Sequence, residues 1–294
     1  MGRYEDKVIK HHNAADATPG LEDLEANSWT GDKGLVVEEY APYGVIAAIT
    51  PSTHPIPVLL NSIIIMIAPG NGVVFNVHPV AQKVSAFAMD IFNRAIVKNG
   101  GPENLVTMVR VPSMESVATL FNDPRIPLIA ATGGPGLVRA AFDAGKKVIA
   151  AGPGNPPVFV DETANIKNAV KHIVDSASFD NNILCIAEKE VFVVESVFDL
   201  FMQEMANCGC VKLDSAQIAQ LTSVVFKKAD GHWTISRDFI GKNASVLARA
   251  VGLSISDEVR MLYGETEADH LFVQEEQMMP FLPIVRVKNS AEGI

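Results

Sequence analysis

The sequence is poor in cysteine and has no long uninterrupted apolar run. Its three cysteines in 294 residues are too few for a disulfide framework, which favours a reducing compartment. The most apolar stretch, residues 58–68, is shorter than the roughly 20 residues that a membrane helix needs. The charged N-terminal segment contains no apolar core of a signal peptide. We therefore expect a cytoplasmic protein without a membrane partner.

Clustered basic residues and metal-ligand spacings are also missing. The formal net charge is -10, and the pairs Lys146–Lys147 and Lys227–Lys228 are isolated. A phosphate backbone is bound by clustered Lys and Arg, so we expect no nucleic-acid partner. No histidine or cysteine pair has the spacing of a zinc site, and Cys208 and Cys210 are expected to be structural. The sequence therefore predicts no metal.

Apolar residues make up 48% of the chain and fall into alternating strand and helix patterns. Residues 45–49 and 73–75 are β-branched runs typical of buried strands, and residues 58–68 and 80–98 carry helical patterns. Strands that alternate with helices form a mostly parallel sheet covered on both faces, so the predicted fold class is α/β. The apolar face predicted for the second helix consists of Val84, Phe87, Ala88, Ile91, Phe92 and Ala95.

The composition of the sequence changes at residues 152–157, a segment rich in glycine and proline. Domain boundaries commonly fall in segments rich in proline and glycine. We therefore place a domain boundary near residue 150, which gives domains 1–150 and 151–294.

Three loops of the first domain follow predicted strands, at residues 50–55, 76–79 and 132–136. Parallel sheets bind ligands at the carboxyl ends of their strands, so these loops are candidate cofactor contacts. The segment Gly133–Gly136 opens a helix, a position that favours a phosphate or a ribose. It does not form a dinucleotide fingerprint, because Arg139 stands where the last glycine would fall. Taken alone, this segment is equally an ordinary strand-to-helix turn.

Cys185 is the candidate nucleophile. A free cysteine is most often a small buried apolar residue, and that alternative stays open for Cys185. Its setting favours chemistry, because the polar loop 178–182 stands between a predicted helix and a predicted strand. In such a loop a thiol can be exposed and also reached by backbone N–H donors.

Several segments occur together in a characteristic order. They are residues 42–45, 50–55, 70–76 and 132–134, then Cys185, then Glu276 shortly before Met278-Met279-Pro280. As a set they resemble the aldehyde dehydrogenase superfamily. The resemblance implies a Rossmann-type cofactor domain of parallel strands and an α/β catalytic domain with Cys185 as the nucleophile. It begins near Leu35 and implies a chain that is incomplete at both ends.

The resemblance implies NAD as cofactor, with NADP the less expected alternative. The residues expected to bind it, from the strand-end loops and the resemblance together, are Thr50, Pro51, Ser52, Asn76, His78, Thr132, Gly133, Gly134, Leu137, Gly152 and Glu276. Glu276 matches the carboxylate that contacts the nicotinamide ribose in the superfamily. Asn76 stands where the superfamily has a lysine on the adenosine ribose.

Within the superfamily, residues 152–155 and 178–188 are similar to the CoA-acylating enzymes of ethanolamine and propanediol use, which convert acetaldehyde or propionaldehyde to the acyl-CoA. Hydrolytic members have a water-activating glutamate at the position of Ala150, and an alanine cannot act as a base. Thr53 stands where those members have an asparagine that donates to the oxyanion. The resemblance therefore implies oxidation of a short-chain aldehyde through a Cys185 thioester, which CoA releases as acyl-CoA.

Two alternatives stay open for the activity. One is a hydrolytic or semialdehyde dehydrogenase, which would form its product without CoA. The other is a catalytically inactive fragment. For full-length members, the resemblance implies a homo-oligomer that can reside inside a bacterial microcompartment and associate with its shell.

Overall fold

The computed structural model describes residues 1–229 and 231–294. The chain divides into two compact units. The first unit is Val8–Pro153, and the second unit is Gly154–Ile294 together with Met1–Lys7. The division falls close to the boundary expected from the glycine-rich crossing. The assignment of cofactor binding to one part and thiol chemistry to the other stays a prediction.

The first unit is built around one parallel sheet. In chain order, the elements up to residue 153 are α1 (Tyr4–Asp16), β1 (Asn27–Gly31), β2 (Gly34–Glu38), β3 (Val45–Thr50), α2 (Pro55–Ile67), β4 (Gly72–Val77), α3 (Gln82–Lys98), β5 (Val106–Met108), α4 (Met114–Asn122), β6 (Leu128–Thr132), α5 (Pro135–Asp143) and β7 (Lys147–Ala151). Strands β1 and β2 pair as an exposed antiparallel hairpin. The other five strands are parallel and lie in the order β5-β4-β3-β6-β7.

The strand order reverses at β3. The chain adds β4 and β5 on one side of it and then returns to add β6 and β7 on the other. Residues of α2 and α3, such as Leu59 and Met89, form an apolar cluster on one face of the sheet. Residues of α4 and α5, such as Phe121 and Ala141, form a second cluster on the other face. Such a reversal opens a crevice at the carboxyl ends of the central strands, where ligands of doubly wound sheets bind.

Helix α3 is present as predicted, but only part of its predicted apolar face is covered. Ala88 is buried, and Phe92 packs against the cluster formed by α2 and α3. Phe87 is 66% exposed, and Val84 and Ile91 are exposed as well. The buried residues of this helix are Ser85, Ala88 and Met89. Small side chains let the helix lie close against the sheet, and periodicity alone does not say which face is covered.

The second unit contains another five-stranded parallel sheet. In chain order, its elements from residue 154 onward are β8 (Pro157–Val160), α6 (Ile166–Ala177), β9 (Glu190–Val194), α7 (Glu195–Asn207), β10 (Val211–Lys212), α8 (Ser215–Val225), β11 (Phe226–Ala229), β12 (His232–Ile235), α9 (Ala244–Ala250), β13 (Leu262–Thr266), α10 (Leu271–Gln274), β14 (Phe281–Val287) and α11 (Ser290–Gly293). The sheet order is β10-β13-β14-β9-β8, and β11 pairs with β12 in a separate hairpin. The predicted α/β class with parallel sheets is confirmed.

Neighbouring strands of this second sheet decide which loops meet. Strands β9 and β14 are apolar runs that are almost wholly buried, and β9 lies between β14 and β8. Because these three strands are parallel, the segments that enter them lie side by side at the amino edge of the sheet. Cys185 precedes β9, Gly154 precedes β8, and Glu276 precedes β14. The fold therefore brings these three residues to one edge.

Within residues 1–229 and 231–294, no helix is long and apolar enough to span a bilayer.

Candidate active site

Direct contacts join the three segments at the amino edge of the second sheet. The backbone N–H of Lys189 donates to the Pro156 carbonyl over 3.0 Å, which ties the entry of β9 to the entry of β8. The Gln277 side chain donates to the Lys189 carbonyl over 2.6 Å, which ties β14 to the same point. Hydrogen bonds therefore connect the segment that carries Cys185 to both neighbouring segments at this edge.

The Cys185 side chain is partly exposed, but the polar loop before it is not solvated. Ser178, Asp180, Asn181 and Asn182 are at most 1% exposed. Cys185 itself is half-buried, whereas the polar loop, which the sequence predicts to allow an exposed thiol, is buried. The loop itself is buried because its polar side chains bond to other parts of the second unit.

This buried segment has an uncommon backbone. Asp180, Asn181 and Asn182 have φ values of 50°, 57° and 58°, which places three consecutive non-glycine residues in the left-handed region. Asn and Asp tolerate this region better than other side chains do, although each residue still carries some strain. Such a backbone persists only where its surroundings hold it.

A buried network of charges holds Asp180. Its carboxylate accepts from the Arg3 backbone N–H over 2.8 Å and forms an ion pair with Lys7 over 3.1 Å. The Asp180 N–H donates to the Asp6 carboxylate over 2.8 Å, and Arg260 pairs with Asp6 over 2.6 Å. Met1–Lys7 belong to the second unit, and their contacts hold the turn before Cys185.

Gly154 approaches the nucleophile segment more closely than any side chain could. A Cβ atom placed on Gly154 would overlap the Cys185 carbonyl oxygen, which is backbone and cannot swing away. The Gly154 N–H also acts on Glu276, whose pKa it lowers. One glycine therefore sets the distance between Cys185 and the segment that carries Glu276.

Opposing influences act on the pKa of the Cys185 thiol. Burial raises this pKa, and the nearby Glu276 carboxylate raises it further. The backbone N–H of Cys185 and the Lys189 ammonium lower it. Burial also raises the pKa of Glu276, while Lys189 and the Gly154 N–H lower that pKa. Lys189 is thus the cation that acts on both Cys185 and Glu276.

The first unit has a cavity of about 390 Å³ at the carboxyl ends of β3, β4 and β6. We call it the strand-end cavity. The predicted cofactor residues that line it are Thr50, Pro51, Ser52, Asn76, His78, Thr132, Gly133, Gly134 and Leu137. They come from three separate loops, which the parallel sheet brings to one place. Their role in binding stays a prediction.

Two of these residues differ in what their side chains do. The Thr50 hydroxyl is buried and has no hydrogen-bond partner within the described residues. The Asn76 side chain is also buried, but its Oδ1 accepts from the Ser116 hydroxyl over 2.9 Å at the start of α4. Asn76 therefore supports the wall of the cavity, whereas the Thr50 hydroxyl makes no bond within the described chain.

Two predicted residues of the first unit do not line this cavity. The Thr53 hydroxyl shares a hydrogen bond with His54 Nδ1 over 2.8 Å. Gly152 follows β7, and apart from its chain neighbours no described residue has an atom within 4 Å of where its Cβ would be. Glu276 belongs to the second unit and does not line this cavity. Its carboxylate instead acts electrostatically on Cys185.

Sequence reasoning missed several residues of both sites. Lys189 and Gly154 were not identified, although the Gly-Pro-Gly pattern at residues 152–154 was a usable signal for a close backbone approach. The start of α4, with Ser113 and Met114, also lines the strand-end cavity. It follows the short strand β5, so the rule that selected the other loops would have found it.

In the described part of the chain, no group of three or more His, Cys, Asp or Glu side chains is arranged to hold a metal ion.

A model of the Aldehyde dehydrogenase family matches residues 8–216, which is most of the chain. The chain belongs to the aldehyde dehydrogenase family. It is 48% identical over 297 residues to the acetaldehyde dehydrogenase (acetylating) EutE of Salmonella typhimurium, an alignment that covers 100% of this chain and 64% of that relative. The likeness to CoA-acylating members that the sequence suggested is thereby confirmed.

Solved structures of relatives share the fold. A propionaldehyde dehydrogenase from the Clostridium phytofermentans fucose utilisation bacterial microcompartment matches with a TM-score of 0.95 at 42% identity, over 99% of this chain and 66% of that chain. A Rhodopseudomonas palustris propionaldehyde dehydrogenase with bound CoA and an acylated cysteine matches with a TM-score of 0.93 at 42% identity, over 98% of this chain and 65% of that chain. The chain thus spans slightly less than two thirds of the length of these relatives.

Proposed function

We propose that this chain carries the thiol and cofactor sites of a CoA-acylating aldehyde dehydrogenase, which oxidises a short-chain aldehyde to an acyl-CoA. The family and the named relatives support the proposal. The observation that carries it is the setting of Cys185: a partly exposed thiol after a strained turn, with its carbonyl against Gly154 and with Lys189 and Glu276 in electrostatic reach. A merely structural cysteine requires none of these features.

Cys185 supplies the nucleophile in this proposal. Its thiolate adds to the aldehyde carbon, and the carbonyl electrons move onto the oxygen to give a thiohemiacetal oxyanion. The Cys185 backbone N–H lowers the pKa of the thiol, and it is the proposed first donor to the oxyanion. Thr53 is the proposed second donor, an assignment that rests on the family resemblance. A well-placed donor of this kind contributes about 2.7–4 kcal/mol to the transition state.

The residues of the strand-end cavity fit a nicotinamide dinucleotide. Thr50 has a buried hydroxyl without a partner in the described chain. The Gly134 N–H has no backbone partner in the described chain either, and it stands at the N-terminus of α5, where phosphates bind. When bound, the dinucleotide supplies a hydride acceptor. Among the described residues that line the cavity there is no Arg or Lys to pair with a 2′-phosphate, which favours NAD over NADP.

Loss of a hydride from the Cys185 adduct leaves an acyl thioester on the sulfur. CoA is the proposed acceptor, because its thiol exchanges with a thioester without strong basic help. Ala150 packs against the apolar cluster beneath α4 and α5, and the adjacent Ala151 is exposed. Neither alanine can take a proton from water, so hydrolysis is expected to be slow.

The proposal is tested by following NADH and product with a short-chain aldehyde in the presence and absence of CoA. Cys185→Ala should abolish aldehyde-dependent NADH formation, whereas the exposed Cys208→Ser should leave it intact. NADH formation that ignores CoA, with a free acid as product, would instead support the hydrolytic or semialdehyde alternative. Unchanged turnover in Cys185→Ala would remove Cys185 as the nucleophile.

We also propose that the working protein is a homo-oligomer in the cytoplasm or in a bacterial microcompartment, associated with its shell. This proposal rests on the family and on the microcompartment source of the Clostridium relative. Sedimentation of the purified protein and co-purification with shell proteins test its two parts separately.

A further inference from the structure

Lys189 is a buried cation with an unusual environment. Its side chain is 0% exposed, and its ammonium donates to the Asn182 carbonyl over 2.7 Å and also to the Asn182 side-chain oxygen. A buried charge costs much free energy unless it is paired and hydrogen-bonded. Among the described residues, no carboxylate lies within ion-pair distance of this nitrogen. The charge of Lys189 is therefore held by one asparagine and is not neutralised by a bonded partner.

Charges on several sides face the ammonium at longer range. Glu276 acts on it most strongly, followed by Cys185, Glu190 and Glu188. Glu276 enters from the β14 side, and the others belong to the same segment as Lys189. The buried ammonium of Lys189 thus interacts electrostatically with both Cys185 and Glu276 at the amino edge of the second sheet.

Lys189 also fixes the segment that carries the nucleophile. Asn182, the last left-handed residue before Cys185, receives both bonds from the ammonium and donates its own side-chain N–H to the Glu188 carbonyl over 2.9 Å. Residues 182 and 188–189 are thereby clamped, and Cys185 lies in the loop between them. A change at Lys189 acts on both the position of the thiol and the charge near it.

We propose that Lys189 is a positioning residue for Cys185: its ammonium holds the Asn182 turn and supplies the positive charge that favours the thiolate. This inference rests on the proposed function, since it assigns Lys189 a role in preparing the same nucleophile. It explains why an ammonium is kept in a buried site where an apolar side chain of similar length would cost less.

The direction of the effect follows from the charges. Removing the Lys189 charge raises the pKa of the Cys185 thiol, because the ammonium favours the thiolate. It also raises the pKa of Glu276, which Lys189 holds down. A Glu276 that is protonated more often repels the thiolate less, so this second change offsets part of the first. Burial lowers the pKa of Lys189 to about 8, so the cation is present at neutral pH and is lost above that value.

The decisive experiment measures the pH dependence of Cys185 alkylation by iodoacetamide, with the modified peptide identified by mass spectrometry. A Cys208→Ser background removes the exposed thiol, and burial raises the pKa of Cys210 to about 12, so Cys210 does not interfere. Lys189→Met should move the midpoint upward by about one pH unit, which is about tenfold less thiolate at neutral pH. Lys189→Arg keeps the charge, so its alkylation midpoint should lie close to that of the parent protein. Lys171→Met, at an exposed ion pair, is the matched control and should leave the midpoint in place.

A folded Lys189→Met protein with an unchanged alkylation midpoint would overturn the inference. If that variant does not fold, Asn182→Asp decides, since aspartate tolerates the left-handed backbone and its carboxylate would cancel the ammonium charge. Its midpoint should also rise, and an unchanged midpoint would overturn the inference. Alkylation needs neither aldehyde nor CoA, so these results are independent of the proposed activity. Failure of that activity would appear instead as turnover that survives Cys185→Ala.

Discussion

The two candidate sites lie at opposite ends of their strands. The strand-end cavity of the first unit is at the carboxyl ends of β3, β4 and β6, whereas Cys185 of the second unit is at the amino ends of β8, β9 and β14. The cavity is made of short loops whose place follows from the order of the strands. The thiol site is made of a strained turn, a close glycine and buried charges. The proposed cofactor site thus depends mainly on the order of the strands, while the proposed nucleophile also has individual supporting contacts.

The two regions therefore differ in how a substitution should act. At the thiol site, most supporting residues are buried and already bonded, so their loss should lower stability together with activity. At the cavity, the unpartnered Thr50 hydroxyl contributes to no internal bond in the described chain, so its loss should affect binding alone. Four substitutions test this contrast.

The largest effect is expected at Asp180. Asp180→Ala removes a fully buried carboxylate that pairs with Lys7 and accepts from the Arg3 N–H. Each hydrogen bond to a charged group contributes about 1.5–3 kcal/mol, so the loss of both bonds should cost about 3 kcal/mol or more, although the half-buried Lys7 can then turn to water. Denaturant unfolding measures this loss, and faster alkylation of Cys185 at fixed pH would report a loosened turn. Asp175→Ala, at an exposed helical pair, is the control and should change stability little.

Gly154→Ala should come next. The added Cβ overlaps the Cys185 carbonyl oxygen, so the backbone of one segment must move. Displacing a nucleophile by about 1 Å costs on the order of 100-fold in kcat, which steady-state turnover measures. The thermal midpoint of Gly152→Ala should equal that of the parent protein, because nothing lies near its Cβ position. If Gly154→Ala keeps full turnover, the close approach at Gly154 does not position Cys185.

Glu190→Gln should change the pH dependence of stability. Burial raises the pKa of Glu190 from 4.5 to about 7, so the folded state binds this proton more tightly than the unfolded state does. The stability linked to this proton is full below about pH 4.5 and is lost as the pH rises through 7. The variant should therefore flatten this decline and be more stable at pH 8 by about 1–2 kcal/mol, after allowance for partial screening. Unfolding curves between pH 4 and 8 test this, and the exposed Glu195→Gln is the control.

The smallest effect is expected at the cavity. Thr50→Val keeps the shape of the side chain and removes a hydroxyl that has no partner in the described structure, so the thermal midpoint should not fall. Dinucleotide binding should weaken by about 1 kcal/mol, or roughly fivefold in Kd, which calorimetric titration measures. Ser85→Ala removes another buried hydroxyl without a partner in that structure, on the sheet-facing side of α3, and should leave Kd unchanged. Equal Kd values for all three proteins would contradict a role for Thr50.

The contrast between the sites also explains what could be read from the sequence. Thr50, His78 and Gly133 were identifiable because each follows a predicted parallel strand, and parallel strands carry their loops to one edge. Cys185 was identifiable through the family resemblance. Its supports were not, because Asp6 meets the turn across 174 residues of sequence and looks like an ordinary surface charge.

Lys189 is the clearest case of this kind. In the sequence it is one member of the mixed run Glu188-Lys189-Glu190, which is typical of a solvated surface. Only the pairing of β9 between β8 and β14 buries it. The buried face of α3 was predicted only in part for a related reason. Periodicity indicates a helix but does not say on which side the sheet lies. Burial of charge and choice of face are tertiary properties.

The most direct test of the account is the dependence of acyl-CoA formation on Cys185 and on CoA. Purified protein is given a short-chain aldehyde and NAD, with or without CoA, and both NADH and acyl-CoA are measured. Acyl-CoA and NADH should form in equal amounts, NADH formation should be slow without CoA, and Cys185→Ala should abolish both products. Sustained NADH formation without CoA, or acyl-CoA formation by Cys185→Ala, would contradict it.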